Sequence, residues 1–234
     1  MNGKTPSVSV VVPVFNEVGN VEPLAQEVFD ALDGRMNYEL IFVDDGSVDG
    51  TREALEALRS RNAAVVVCLH ATNSGQSAAV RTGVKAARHK VIAVLDGDGQ
   101  NDPRDIPRLF GRLAAAPGLS LVIGERRKRR DRFMRRVSSR VANAVRSRLL
   151  GDGISDTGCG IKVFYRDQYL DLPAFDHMHR FLPALMQRCG GEVHSVPVNH
   201  RPRRSGESKY GVGNRLWVGI ADMIGVMWLQ RRRI

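Results

Sequence analysis

Short apolar runs rich in β-branched residues alternate with longer amphipathic stretches through the first half of the chain. Such runs are typical of buried strands, and the amphipathic stretches are typical of helices. The pattern predicts strands over residues 8–14, 38–43, 63–69, 91–95 and 119–124, and helices over residues 20–32, 51–61 and 75–88. Because the two kinds of element alternate, the sequence predicts an α/β fold with a mostly parallel sheet flanked by helices.

Three of the predicted strands end in polar segments that contain acids. These segments read PVFNE from residue 13, DDGSVDGT from residue 44 and DGDGQNDP from residue 96. Open α/β folds bind ligands at the carboxyl ends of their strands, so all three are candidate site loops. Asp96 and Asp98 could face one Mg²⁺ or Mn²⁺ ion, since both metals favour carboxylate oxygens. Taken alone, the third segment fits an ordinary acidic turn equally well.

The first polar segment combines an aromatic ring, Phe15, with a carboxylate, Glu17. A ring can stack on a nucleotide base while a carboxylate accepts its hydrogen bonds. The alternative is structural: Phe15 belongs to the core, and Glu17 is an acid at a helix start.

Composition and charge narrow the class of protein. The 234 residues are 43% apolar, which is enough for one sizeable core with or without an appendage. The three cysteines are far apart and the N-terminus lacks a signal peptide's apolar stretch, so reduced thiols and a cytoplasmic location are expected. The formal net charge is +10, and the excess basic residues are concentrated in residues 126–148, 201–209 and 231–233. Such a charge favours anionic partners. Aromatic residues hardly interleave with these cations, which favours lipid headgroups or a lipid phosphate over nucleic acid.

The order and spacing of the three polar segments resemble those of family 2 glycosyltransferases with a GT-A fold. The closest resemblance is to the polyprenyl-phosphate glycosyltransferases, the dolichol-phosphate mannose synthase group, whose members read P-x-Y-N-E, D-D-x-S-x-D-G-T and D-x-D-x-Q. The resemblance extends from residue 8 to about residue 209. It implies a nucleotide-sugar donor whose base is held by Pro13, Phe15, Glu17, Val43 and Asp45. Phe15 replaces the usual tyrosine, which keeps the stacking ring and loses a hydroxyl contact.

The same resemblance implies roles for the acids and for the basic segments. Asp96 and Gly97 would lie along the ribose and diphosphate, while Asp98 and Gln100 would ligate Mg²⁺ or Mn²⁺. The residues implied for the donor or acceptor phosphates are Arg126, Arg140 in the SRVAN segment, Arg203 and Lys209, with Arg136 a weaker candidate. The glycine-rich segment 156–164 either lines the sugar pocket or merely bends the chain into a strand, and His179 matches an H-R-F-L-P element without an assigned role.

Residues 216–229 form an apolar run of helical character, interrupted by Asp222 and flanked by arginines. The run is shorter than the roughly 20 residues that a spanning helix needs. Trp217 and Trp228 near its ends predict a helix that lies in the membrane interface, and packing on the core or on a second subunit is the alternative. The expected organisation is a catalytic domain over residues 1–212 and this helix over residues 213–234. The expected location is peripheral, on the inner face of the membrane.

The implied reaction moves one sugar from GDP-mannose or a UDP-sugar to the phosphate of a polyprenyl lipid and inverts the anomeric centre. The acceptor phosphate is already anionic, so the reaction needs cations that offset charge more than it needs a strong base. Three alternatives stay open: a saccharide or protein acceptor, nucleotidyl transfer, and a basic nucleic-acid-binding module. The glycine-rich N-terminal signature of nucleotidyl transfer is absent.

Overall fold

Seven strands form one sheet, in the order β3-β2-β1-β4-β6-β5-β7, within the described part of the chain. The computed structural model describes residues 5–126, 146–203 and 213–232, and of residues 213–218 only the backbone. The strands are β1 Ser7–Val14, β2 Asn37–Asp44, β3 Val65–Leu69, β4 Val91–Val94, β5 Leu119–Arg126, β6 Lys162–Tyr165 and β7 Glu192–Val198. Neighbouring strands are parallel except that β6 runs antiparallel to both β4 and β5. The predicted mostly parallel α/β sheet is therefore confirmed.

Helices cover both faces of the sheet. Those whose two ends lie in the described part of the chain are α1 Val18–Leu32, α2 Thr51–Arg61, α3 Gln76–Ala86, α4 Ile106–Ala114, α5 Arg166–Leu170, α6 Leu182–Arg188 and α7 Gly213–Gln230, and residues 146–150 are also helical. A 3-10 turn over Pro103–Asp105 precedes α4, and the Asp102 carboxylate caps it by accepting the Arg104 N–H. Alternating side chains of β1 divide between two apolar clusters: Val10 packs toward α1, and Val11 packs toward α3.

Close approach of α3 to the sheet is what places the start of this helix at the strand ends. A Cβ built on Gly83 of α3 would lie 2.4 Å from Cγ1 of Val11, so this position admits only glycine without rearrangement. The N-terminus of α3 is thereby held beside the loops that follow β1, β2 and β4.

Helix α7 packs on α6 rather than standing apart from the body. Val226 is buried, and the Arg188 guanidinium donates to the Leu229 carbonyl oxygen at 2.8 Å. Asp222, which interrupts the apolar run, lies 3.1 Å from Nδ1 of His177. Ile224 and Trp228 face outward, with 60% and 57% of their surface exposed. Within the described ranges, no helix combines the length and apolarity needed to cross a membrane.

Candidate active site

A cavity of about 360 Å³ opens at the carboxyl ends of β1, β2 and β4. Its wall consists of Pro13, Val14, Phe15, Glu17, Asp45, Asn73, Gly75, Gln76, Ala79, Asp96, Gly97, Asp98 and Arg203. Eight residues that the resemblance implies for the donor or phosphate site thus meet in one place: Pro13, Phe15, Glu17, Asp45, Asp96, Gly97, Asp98 and Arg203. All three polar segments contribute to this wall, although they are far apart in the chain.

Two described residues implied by the resemblance do not line the cavity, and three more fall outside the described part of the chain. Val43 is fully buried in the apolar cluster beneath α3 and does not line the cavity. Gln100 is also absent from the wall, and its amide donates to the Arg201 carbonyl oxygen at 3.3 Å. Arg140, Arg136 and Lys209 lie outside the described residues. The roles of these five residues remain predictions.

Reciprocal hydrogen bonds join the β1–α1 loop to the β2–α2 loop and so shape one end of the cavity. Asn16 adopts a left-handed backbone with φ 52°, which asparagine tolerates better than most residues. Its N–H donates to the Ser47 hydroxyl at 2.8 Å, and its side-chain oxygen accepts the Val48 N–H at 2.8 Å. The Glu17 N–H donates to the Thr51 hydroxyl at 2.9 Å. These hydrogen bonds therefore fix the backbone of the turn that carries Phe15 and Glu17.

The Asp45 carboxylate organises the loop between β3 and α3. It accepts the backbone N–H groups of Ser74 and Gly75 at 2.9 and 2.8 Å, and its Oδ1 lies 2.7 Å from Nδ1 of His70. A Cβ built on Gly46 would lie 2.7 Å from the Thr72 carbonyl carbon, so this loop sits directly on the β2–α2 turn. The contacts explain how Asn73 and Gly75 reach the cavity wall.

Asp96 is held at the floor of the cavity. Its Oδ1 accepts the Gln76 amide at 2.9 Å, and a Cβ built on Gly160 would lie 2.1 Å from its Oδ2. Burial, and then the neighbouring charge of Asp98, raises the pKa of Asp96, and the cations of Lys162 and Arg126 oppose this rise. The carboxylate is thus fixed from one side by α3 and from the other by the glycine-rich segment.

Asp98 meets an arginine at the rim. Its Oδ2 lies 2.9 Å from the Arg203 guanidinium, and its Oδ1 accepts the Gln100 N–H at 3.1 Å. Arg203 is carried there by Arg201, whose guanidinium pairs with Glu27 at 2.6 Å and also donates to the carbonyl oxygens of Gly99 and Asn101 at 3.1 and 2.6 Å. These bonds hold the segment after β7 against the acidic loop, which is the loop after β4 that carries Asp96 and Asp98.

Behind Asp96 lies a buried polar layer that the sequence predicts only in part. Arg126 is paired with both oxygens of Asp156 at 2.7 Å, so its orientation is set by that carboxylate. The Lys162 ammonium donates to the Cys159 carbonyl oxygen, and burial lowers the pKa of Lys162. Burial raises the pKa of the Cys159 thiol to about 11, which keeps it protonated at neutral pH and unsuited to act as a nucleophile.

The carboxylates of the cavity fit a divalent metal ion whose remaining coordination positions are filled by substrate phosphates. Within residues 5–126, 146–203 and 213–232, no group of three His, Cys, Asp or Glu side chains is placed to hold a metal. Mg²⁺, however, is commonly held by one or two carboxylates together with substrate phosphates. Asp96 and Asp98 supply two carboxylates on one wall, which is the number that such a site needs.

The chain belongs to glycosyl transferase family 2, whose profile matches residues 9–171. The class implied by the three polar segments is therefore confirmed.

Two relatives from bacteria carry polyprenyl-phosphate names. Dodecaprenyl-phosphate galacturonate synthase of Rhizobium johnstonii is 36% identical over 228 residues, which cover 95% of this chain and 67% of that protein. Undecaprenyl-phosphate 4-deoxy-4-formamido-L-arabinose transferase of Edwardsiella ictaluri is 37% identical over 210 residues, which cover 88% of this chain and 63% of that protein. This chain thus spans about two thirds of the length of these relatives.

Among solved structures, glucosyl-3-phosphoglycerate synthase of Mycobacterium tuberculosis shares the fold. In its complex with Mn²⁺, UDP-glucose and phosphoglyceric acid it matches with a TM-score of 0.70 at 20% identity, covering 96% of this chain and 79% of that chain. Its complex with Mn²⁺, UDP and phosphoglyceric acid gives a TM-score of 0.72 at 22% identity, with 96% and 78% covered. The similarity supports the predicted GT-A architecture.

Several residues of the cavity wall, and of the polar groups behind it, are not among the predicted site residues. Asn73, Gly75 and Gln76 lie at or just before the start of the predicted helix over residues 75–88, whose small residues can be explained by packing alone. Lys162 lies within the glycine-rich segment 156–164, for which the resemblance implies a role for the segment but for no individual residue. His70 has no signal at all, since an isolated histidine after a strand is uninformative.

Proposed function

We propose that this chain transfers a sugar from a nucleotide-sugar to the phosphate of a polyprenyl lipid, with inversion at the anomeric carbon. The observation that carries this proposal is the meeting of Asp98 and Arg203 at the rim of a cavity that also contains Phe15, Glu17 and Asp45. One wall thus offers groups suited to a base, and the rim offers groups suited to phosphates. The names of the two bacterial relatives support the lipid phosphate as acceptor.

Phe15 and Asp45 bind the base, the ring by stacking and the carboxylate by accepting its N–H groups. Asp98, with Asp96 beside it and Gln100 as the further predicted ligand, would hold Mg²⁺ or Mn²⁺, which neutralises a leaving diphosphate. The Gln76–Asp96 hydrogen bond keeps the Asp96 carboxylate on the wall where the ribose and diphosphate pass.

Arg203 brings the acceptor phosphate to the sugar and offsets its charge. Arg140 and Lys209 are proposed to assist it, and Arg126, held by Asp156, adds positive potential behind Asp96. No strong base is required, because the acceptor oxygen is already ionised at neutral pH. The attacking phosphate oxygen bonds to the anomeric carbon from the face opposite the leaving diphosphate, which inverts that centre.

A transfer assay tests this proposal. Radiolabelled UDP- and GDP-sugars are incubated with the protein, Mn²⁺ and a polyprenyl phosphate, and the label that partitions into organic solvent is counted. We expect organic-soluble label from at least one donor, and we expect none without the lipid phosphate. Label that reaches only a soluble saccharide or a protein, or no consumption of any donor, would contradict the proposed reaction.

We further propose that the outward face of α7 contacts an anionic membrane surface, which would bring the cavity to its lipid acceptor. Ile224 and Trp228 stand one helical turn apart on this face, and Arg231 and Arg232 follow them, exposed. The Arg232 guanidinium lies 5.3 Å from the Trp228 ring centroid, so a cation accompanies the aromatic anchor.

Vesicle flotation checks the membrane proposal. The double variant Ile224→Ser with Trp228→Ser should lose most binding to vesicles that contain phosphatidylglycerol, whereas Val48→Ser should bind as the unsubstituted protein does. Val48 is the matched control because it is 88% exposed but lies on the β2–α2 loop, away from α7. Equal flotation of the double variant and the control would exclude this face as the anchor.

A further inference from the structure

His70 lies directly after β3 and bridges a cavity residue to helix α3. Its Nδ1 is 2.7 Å from Oδ1 of Asp45, and its Nε2 is 2.9 Å from the Thr82 hydroxyl. The two side chains of the His70–Asp45 pair are 15% and 5% exposed, so the contact is shielded from water. The His70 N–H also donates to the Asp44 carbonyl oxygen at 2.9 Å, which fixes the backbone from which the ring projects.

The hydrogen-bond donors around Asp45 leave one defined direction for a ligand. A carboxylate offers about four acceptor positions, two on each oxygen. Oδ1 is taken twice, by His70 and by the Ser74 N–H, whereas Oδ2 is taken once, by the Gly75 N–H. Among the described residues none occupies the second position of Oδ2, and Asp45 is part of the cavity wall.

The chemistry of the pair determines which ring nitrogen of His70 carries a proton. An ionised carboxylate only accepts hydrogen bonds, so Nδ1 must donate to Asp45. The Thr82 hydroxyl can donate to Nε2 of a neutral ring or accept from a charged one, and it therefore suits either state.

We propose that His70 is a positioning residue for recognition of the nucleotide base. It holds Asp45 so that Oδ2 faces an N–H on the hydrogen-bonding edge of the base, as in the imide of uracil or the amide of guanine. This inference rests on the proposed function, since it places the base of the donor beside Asp45. The ligand class is a nucleoside diphosphate whose base presents such an N–H.

Two substitutions of His70 distinguish the contribution of the Nδ1 hydrogen bond from that of the Nε2 hydrogen bond. In His70→Asn the amide nitrogen can take the place of Nδ1 and keep the donor to Asp45. In His70→Gln the amide group reaches the position of Nε2, so the Thr82 contact is kept and the Asp45 contact is lost. Both variants retain a polar side chain of similar size, and Thr82→Val serves as a third variant that removes only the partner of Nε2.

Calorimetric titration of each variant with UDP and GDP in the presence of Mg²⁺ gives the first readout, and Mg²⁺–pyrophosphate is the ligand without a base. A hydrogen bond to a charged group typically contributes enough to change affinity about 10- to 100-fold. We expect His70→Gln to weaken the better nucleoside diphosphate by about this factor. We expect His70→Asn and Thr82→Val to stay within about 3-fold of the unsubstituted protein. Pyrophosphate binding should be the same in all four proteins.

The outcomes separate positioning from general structural support. An equal loss of pyrophosphate and nucleotide binding in His70→Gln would show a merely structural role and overturn the inference, as would equal nucleotide affinity in the Asn and Gln variants. An unsubstituted protein that binds no nucleoside diphosphate would overturn the proposed function as well. Nitrogen-15 spectra of the unsubstituted protein give a test without any variant, because a neutral His70 protonated at Nε2 would contradict the bridge to Asp45.

Discussion

Two carboxylates of the acidic loop, Asp96 and Asp98, occupy different environments although they stand two positions apart. Asp96 is held by the Gln76 amide and abuts Gly160, whereas Asp98, whose side chain is 12% exposed, pairs with Arg203. The difference follows from what packs around each side chain, namely α3 and Gly160 around the first and the segment after β7 around the second. The contact with Arg203, a second group suited to phosphates, makes Asp98 the better placed carboxylate for substrate phosphates and their metal.

Asp98→Asn should therefore reduce sugar transfer by about 10²- to 10³-fold, the usual consequence of removing one electrostatic contact to a developing charge. The substitution preserves shape, so the melting temperature should change little. Initial rates at saturating Mn²⁺ measure the effect, and Asp30→Asn on the exposed face of α1 is the matched control. Transfer by the Asp98 variant at the rate of the control would remove Asp98 from the reaction.

His179 illustrates a pH-dependent contribution to stability. Its Nδ1 lies 2.7 Å from the Ser77 hydroxyl, and burial, followed by the charges of Lys162, Arg180 and His177, holds the pKa of His179 well below its usual range. The unfolded chain therefore binds a proton below about pH 6.5 that the folded protein does not. The resulting stability is fully present above that pH and is lost as the pH falls toward the folded-state pKa.

His179→Asn should abolish this dependence. Between pH 7 and pH 5 the free energy of unfolding of the unsubstituted protein should fall by up to about 2 kcal/mol more than that of the variant. Urea titrations at the two pH values measure the difference. Parallel losses in both proteins would mean that His179 takes up its proton in the folded state as readily as in the unfolded chain.

At the scale of elements, glycines define where loops and helices touch. A Cβ on Gly160 would collide with the Asp96 carboxylate, whereas a Cβ on Gly111 within α4 meets no atom within 4 Å. Gly160→Ala should lower the free energy of unfolding by about 1–3 kcal/mol, as overpacking of a close contact does. Gly111→Ala should raise it by about 0.5–1 kcal/mol, because alanine loses less conformational freedom in a helix.

Denaturant unfolding of the two glycine variants provides the comparison. The opposite signs are the informative result, since both changes add the same methyl group. Nucleotide affinity should fall only in Gly160→Ala, whose side chain displaces Asp96 from the cavity wall. A stability loss of similar size in both variants would show that backbone freedom, and not the contact with Asp96, decides the cost.

Most elements could be predicted from local pattern because their apolar residues repeat with the period of a strand or a helix. The strand predicted over residues 8–14 is observed over Ser7–Val14, and the helix predicted over residues 20–32 is observed over Val18–Leu32. The short strand β6 has no such clear pattern, since only four residues pair. Its antiparallel insertion between β4 and β5 depends on hydrogen bonds to two distant strands, which no local pattern contains.

At the scale of the whole molecule, donor binding should stabilise the fold. A nucleoside diphosphate that binds only the native state at about 100 times its dissociation constant adds about 2.7 kcal/mol, or roughly 5–10 °C in melting temperature for a chain of this size. Thermal-shift measurements with GDP, UDP and Mn²⁺ check this expectation, and EDTA should remove most of the shift. An unchanged melting temperature with every nucleoside diphosphate would contradict a donor site in the cavity.

The sequence by itself determined the α/β class, the family and the acids and arginine that meet at the cavity, because strand periodicity and motif spacing are local properties of the chain. Only the tertiary structure decided that His70 contacts Asp45 and that Gln76 and Lys162 lie beside Asp96. It also decided that Val43 and Gln100 do not line the cavity. These placements depend on contacts between segments that are distant in the chain, where the direction of a side chain is set by packing and by the available hydrogen-bond partners.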